Sequence, residues 1–183
     1  MAYVEELHSW WAEDYSLIMG NDGLVTYSLS NFYGLERYND FIHGVFDRLE
    51  HYIDVKFINA ERVREMIGFW NWPVELDFKN ATDLDRDYAG LARYQQDNTW
   101  DVIIRKDNTY PDSFNKYVIL HEIGHALGLE HPFDNSDGDF NDELTGYDTV
   151  MSYDWGRVNF FTQDDVDTLI GIWGSNPKVS YFS

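Results

Sequence analysis

The chain has 183 residues, about one domain, and is 44% hydrophobic and 17% aromatic, which excludes wholesale disorder and predicts a packed globule. Lys and Arg number 13 against 33 Asp and Glu, a formal charge of -20 that repels nucleic acid and anionic membranes and favours cationic substrates or divalent cations. With no cysteine there is neither a disulfide nor a thiolate metal ligand, and no apolar run approaches the ~20 residues of a membrane span.

Residues 1–20 carry Trp10, Trp11, Tyr15, Leu17 and Ile18, which read as a short helix packed on the body. Met1 to Leu7 lacks a basic region followed by an apolar run, so no Sec-type signal peptide is expected. Asn21-Asp22-Gly23 marks a turn, and the alternation from Leu24 to Leu29 predicts a half-buried first strand. From Leu35 to Ile53 the apolar residues recur every three or four positions, as in an amphipathic helix laid on a sheet. His43 and His51 lie on that helix without a metal-binding partner at a useful spacing, and are read as boundary or surface residues. Val55 to Ile58 suggests a second strand, while Glu61 to Trp72 fits either a short helix or a loop. Val74 to Phe78, Gly90 to Tyr94 and Trp100 to Ile104 add three strands.

Two acidic clusters, Asp83, Asp85 and Asp87 and then Asp134, Asp137, Asp139 and Asp142, offer hard oxygen ligands for Ca2+. Neither matches a twelve-residue calcium loop with its closing glutamate, so solvated acidic loops are the expectation and calcium stays open.

Asp112 or Ser113 can cap a helix that runs to about Leu127 and carries V-I-L-H-E-I-G-H-A-L-G-L-E-H from Val118 to His131. His121 and His125, four apart, share one helix face and can aim at one metal ion. Glu122 is one step round, close enough to reach a water at that metal. Gly128 permits the left-handed conformation that ends a helix, and the turn brings in His131. Three neutral imidazoles with a fourth position open describe a catalytic zinc site, because structural sites close the shell with four ligands, often cysteines. Downstream lie Thr149-Val150-Met151-Ser152-Tyr153 and a capping-box-like Thr162-Gln163-Asp164-Asp165, which opens a last helix that Gly174 would end.

The pattern H-E-x-x-H-x-x-G-x-x-H, followed by a methionine turn at Met151, resembles the metzincin metallopeptidases. Pro132 and the Met151-Ser152-Tyr153 turn are most similar to the serralysin branch, although the glycine- and aspartate-rich calcium repeats of serralysins do not occur here. The resemblance implies an α+β fold with a twisted, mostly parallel five-stranded sheet and an antiparallel edge strand. Two long helices pack on that sheet, and a smaller C-terminal lobe ends in a helix. A single catalytic domain would divide into lobes of about 1–128 and 129–183. By the same resemblance His121, His125 and His131 bind one zinc ion, Glu122 is the general base, and Met151 forms a floor under the metal. Tyr153 binds zinc or swings to the transition state, and Gly90, Leu91, Ala92, Arg93 and Tyr94 form the edge strand that runs antiparallel to substrate.

The expected function is therefore zinc-dependent cleavage of peptide bonds, with Glu122 assisting a zinc-bound water. The alternative is a zinc-binding, peptidase-like interaction module that binds its target without cutting; the intact Glu122 argues against it, since a structural zinc needs no base. A protein or peptide substrate is the expected partner, with room for a protein inhibitor and with a monomer favoured. Secretion is favoured by the resemblance, and a cytoplasmic location remains open.

Overall fold

The computed structural model describes residues 22–81, 88–95, 99–106, 109–133 and 143–178, together with Leu7, Met19, Gly20 and Leu84. Its elements are β1 (Leu24–Asn31), a 3-10 turn (Glu36–Tyr38), α1 (Asn39–Leu49), β2 (Lys56–Asn59), α2 (Ala60–Ile67) and β3 (Leu76–Ala81). They are followed by β4 (Gly90–Tyr94), β5 (Trp100–Arg105), α3 (Asp112–Ala126) and α4 (Gln163–Trp173). The five strands form one mixed sheet in the order β2-β1-β3-β5-β4. β1 pairs in parallel with β2 and β3, β3 in parallel with β5, and β4 closes the edge antiparallel to β5. The expected helix within residues 1–20, and both aspartate clusters considered for calcium, fall outside the described residues.

Local sequence explains most boundaries. α1 buries Ile42, Val45, Phe46 and Leu49 on one stripe, and Phe46 stacks on Phe57 at 4.4 Å between ring centroids. It stops at Leu49, short of the expected Ile53, because the backbone tightens into successive turns from Glu50 to Ile53. The stretch left open between helix and loop is helical over Ala60–Ile67: the Asn59 side chain accepts from the Arg62 N–H at 2.9 Å, and Gly68 ends it at φ +68°.

β1 departs from the half-buried expectation, since Val25 to Leu29 are all buried. Its polar members survive burial because Glu75 accepts from the Thr26 hydroxyl at 3.1 Å and Glu61 from the Ser28 hydroxyl at 2.6 Å. α3 also starts differently from the reading of Asp112 or Ser113 as its cap. Pro111 holds the cap position with no side-chain hydrogen bond, and Asp112, inside the helix, pairs with Lys116 at 2.8 Å.

Candidate active site

α3 runs through the interior, with Tyr117 to Gly124 all buried, so every polar group on it needs a partner. It ends in two bonds, Gly128 N–H to the His125 carbonyl (3.1 Å) and Leu129 N–H to the Gly124 carbonyl (2.9 Å), with Gly128 at φ +104°. This is a Schellman closure, and it reverses the chain so that His131 returns to the helix face carrying His121 and His125.

The carbonyl of Val150 accepts from Nδ1 of His121 at 2.8 Å, and that of Leu129 accepts from Nδ1 of His125 at 3.0 Å. A carbonyl can only accept, so each Nδ1 carries the proton and each Nε2 presents a lone pair. Both Nε2 atoms lie 3.1 Å from Nε2 of His131. A tetrahedral ion with nitrogen bonds of about 2.0–2.1 Å would hold its ligand atoms about 3.3 Å apart, close to both separations from His131, and the ligand atoms of all three rings lie within 4.8 Å of one another. Among the described residues these histidines are the one cluster able to hold a metal. Burial drives the pKa of His121 down and that of His125 well down, the second helped by the neighbouring rings, and so favours the neutral ligand form.

The turn after the acidic loop closes the site from below. Tyr117, on α3, donates its hydroxyl to the Ser152 carbonyl at 2.8 Å. Asp165, in the first turn of α4, accepts from the Thr149 hydroxyl (2.5 Å), the Val150 N–H (3.0 Å) and the Thr162 N–H (2.8 Å). Burial raises its pKa and these donors oppose the rise. One carboxylate thus completes the α4 capping box and fixes the strand of chain whose carbonyl orients His121. Met151 is fully buried with its sulfur against Gly124.

Glu122 faces β4. It is 6% exposed, and burial pushes its carboxyl up to about 8, opposed by the Ala92 backbone N–H. The β4 ladder is anchored by the Arg105 N–H to Ala89 carbonyl bond, so odd-numbered residues face β5 and the backbone groups of Gly90, Ala92 and Tyr94 turn away from it. Leu91 pairs with Ile103, and Arg93 reaches Asp101 at 3.0 Å.

Tyr153 is 70% exposed, and its ring centroid lies 4.6 Å from that of His131 and 6.0 Å from that of His121. Two further histidines among the described residues are elsewhere: His43 Nδ1 shares a hydrogen bond with the Tyr27 hydroxyl, and His51 Nδ1 bonds the Asp47 carbonyl.

Three participants escaped the sequence reading. Phe133 lies parallel to the His131 ring at 4.9 Å and 10° and also touches Tyr153, a contact that only its place two residues after a ligand could have suggested. Asp165 was legible as a helix cap but not as the anchor of a distant turn. Gly124 is an unspecified position of the motif, and its space is claimed by a residue far along the chain.

Residues 23–137 match the matrixin family. Interstitial collagenase B of Mus musculus is 33% identical over 94 residues, covering 49% of this chain and 16% of that protein. Metallopeptidase AprA of Pseudomonas marginalis is 35% identical over 82 residues, covering 39% of this chain and 16% of the relative. Serralysin A of Dickeya chrysanthemi is 34% identical over 77 residues, with 34% and 16% covered. The chain thus spans 16% of the length of each of these relatives. In fold it is similar to myroilysin, at a TM-score of 0.51 and 12% identity, over 82% of this chain and 92% of that one. With the match spanning more than half its residues and taking in the metzincin pattern from His121 to His131, the chain belongs to the matrixin family of metallopeptidases.

Proposed function

We propose that this protein is a zinc-dependent endopeptidase acting on proteins or peptides. The observation that carries the reading is the convergence of three Nε2 atoms, two with tautomers fixed by main-chain carbonyls, beside a buried carboxylate. His121, His125 and His131 would hold the zinc that the family implies. Zinc bound there would supply a Lewis acid that draws the pKa of water from ~16 towards ~7, and a positive charge that favours ionised Glu122.

The chain's own groups do the rest. Glu122 accepts a proton from the attacking water as its oxygen bonds to the scissile carbonyl carbon, then passes that proton to the leaving nitrogen as the C–N bond breaks. Its place on α3 next to the ligand His121, buried beside β4, supports this role. The Tyr153 hydroxyl donates to the oxyanion that develops on the carbonyl oxygen, a contribution of roughly 3 kcal/mol for a well-placed donor. The exposure of Tyr153 and its contact with His131 support that role. Residues Gly90 to Tyr94 bind the extended substrate as an added antiparallel strand, through backbone groups turned away from β5. The reading includes secretion, in keeping with a relative named an interstitial collagenase, and a lobe boundary near Gly128.

Casein digestion with and without a chelator tests the activity, and Glu122→Gln tests the base. Chelation abolishes digestion and added zinc restores it, while Glu122→Gln keeps its zinc and loses roughly a thousandfold in turnover. Wild-type turnover in that variant would remove Glu122 from the mechanism; a zinc-loaded wild type that binds peptides without cutting them would make this a binding module.

A further inference from the structure

Gly90 opens β4 opposite Ile104, at the place where the edge strand crosses α3. A Cβ at this position would lie 2.6 Å from Oε1 of Glu122, 2.7 Å from its Cγ and 2.7 Å from Cγ1 of Val118. Such separations are too short for any real Cβ, so something must shift.

Neither backbone is free to retreat. α3 is pinned by its own ligands, His121 through the Val150 carbonyl and His125 through Leu129, and by the Tyr117 hydroxyl on Ser152. β4 is held by five paired positions along β5, from Gly90 with Ile104 to Tyr94 with Trp100. The parts able to yield are the side chains of Glu122 and Val118, and Glu122 supplies two of the three contacts. We propose that Gly90 is a positioning residue for Glu122: its missing side chain lets the edge strand lie on α3 so that the carboxylate rests between the strand backbone and the three imidazoles. Two residues further on, Ala92 turns its N–H the same way, towards that carboxylate. Gly90 therefore sets the distance between the edge that would bind substrate backbone and the group that would move the proton. The inference rests on the reading of Glu122 as the base.

The test compares zinc-loaded wild type, Gly90→Ala, Glu122→Gln and the double variant on a quenched fluorescent peptide, with zinc content and melting temperature measured on each. Gly90→Ala is expected to lose roughly a hundredfold in kcat, the scale of a catalytic group displaced by about 1 Å, with KM and zinc content near wild type. In the Glu122→Gln background the same substitution produces no further loss, because there is no carboxylate left to misplace. Gly44→Ala, on α1 with nothing within 4 Å of its Cβ, leaves activity unchanged and serves as the control.

Loss of activity in Glu122→Gln together with wild-type kcat in Gly90→Ala overturns the positioning role alone. Retained activity in Glu122→Gln overturns the base and the positioning role with it. Should Gly90→Ala melt early, Val118→Ala is added to clear the second clash: the refolded double variant remains slow if Glu122 is displaced, and recovered kcat would assign the effect to Val118 packing and overturn the proposal.

Discussion

Gly124 and Met151 share one space: a Cβ on Gly124 would sit 2.6 Å from the Met151 sulfur and 3.4 Å from Cδ1 of Leu129. Overpacking of this kind costs about 1–3 kcal/mol, while alanine for glycine in a helix returns at most about 1. Gly124→Ala should therefore destabilise the protein in urea and weaken zinc binding, because Met151 adjoins the carbonyl that orients His121. Shortening the partner, as in Gly124→Ala with Met151→Ala, should recover part of the zinc affinity measured by chelator competition; no recovery would place the strain elsewhere.

Asp165 links two structures with one carboxylate. Asp165→Ala removes the acceptor for Thr149, Val150 and Thr162 at once. Lost charge-assisted bonds and a lost cap together predict destabilisation of roughly 3 kcal/mol in chemical denaturation. Zinc affinity should fall as well, since the turn carrying the Val150 carbonyl loosens; a variant that is less stable but binds zinc normally would limit Asp165 to capping.

Acid should weaken the sheet through Asp101. Burial alone would push this carboxyl up, but hydrogen bonds from Lys79 and Arg93, the Lys79 charge and Gln95 outweigh it and hold it below the ordinary 3.8. Because the folded value lies below the unfolded one, the stabilisation is present above pH 3.8 and disappears as pH falls through the folded value. Asp77, pushed up by burial, works in the opposite direction, so the informative quantity is the difference between variants. A plot of melting temperature against pH should be flatter below 3.8 in Asp101→Asn than in wild type; parallel curves would rule the cluster out as the acid-sensitive element.

Tyr153→Phe separates catalysis from metal binding. The ring contacts with His131 and Phe133 survive the substitution and only the hydroxyl is lost. Turnover on peptides should fall about a hundredfold while zinc affinity changes little, in line with the loss of one oxyanion donor. If both stay at wild-type levels, Tyr153 is an exposed packing residue.

What the sequence made legible were features encoded within a few residues. The i, i+4 histidines, the glycine that ends their helix, the Thr162 cap and the Gly90 to Tyr94 strand all follow from short-range spacing. The end of α1 and the start of α3 did not, because an apolar period continues past Leu49 into turns and a proline, without a side-chain bond, opens α3. The orienting contacts were hidden for a different reason. His121 meets a carbonyl 29 residues away and Val150 meets a carboxylate 15 residues away, and no local pattern marks either end.

Both histidines on α3 are oriented by main-chain carbonyls, those of Val150 and Leu129. An acceptor of this kind belongs to every residue type, so no single substitution at position 150 or 129 deletes it. Only a change in the path of the chain can do so. The tautomers of the metal-facing rings are thus insulated from substitution at positions 150 and 129 themselves and exposed to insertions, deletions and changes that loosen the turn, which makes loop length after α3 and around the methionine turn the quantity least free to drift.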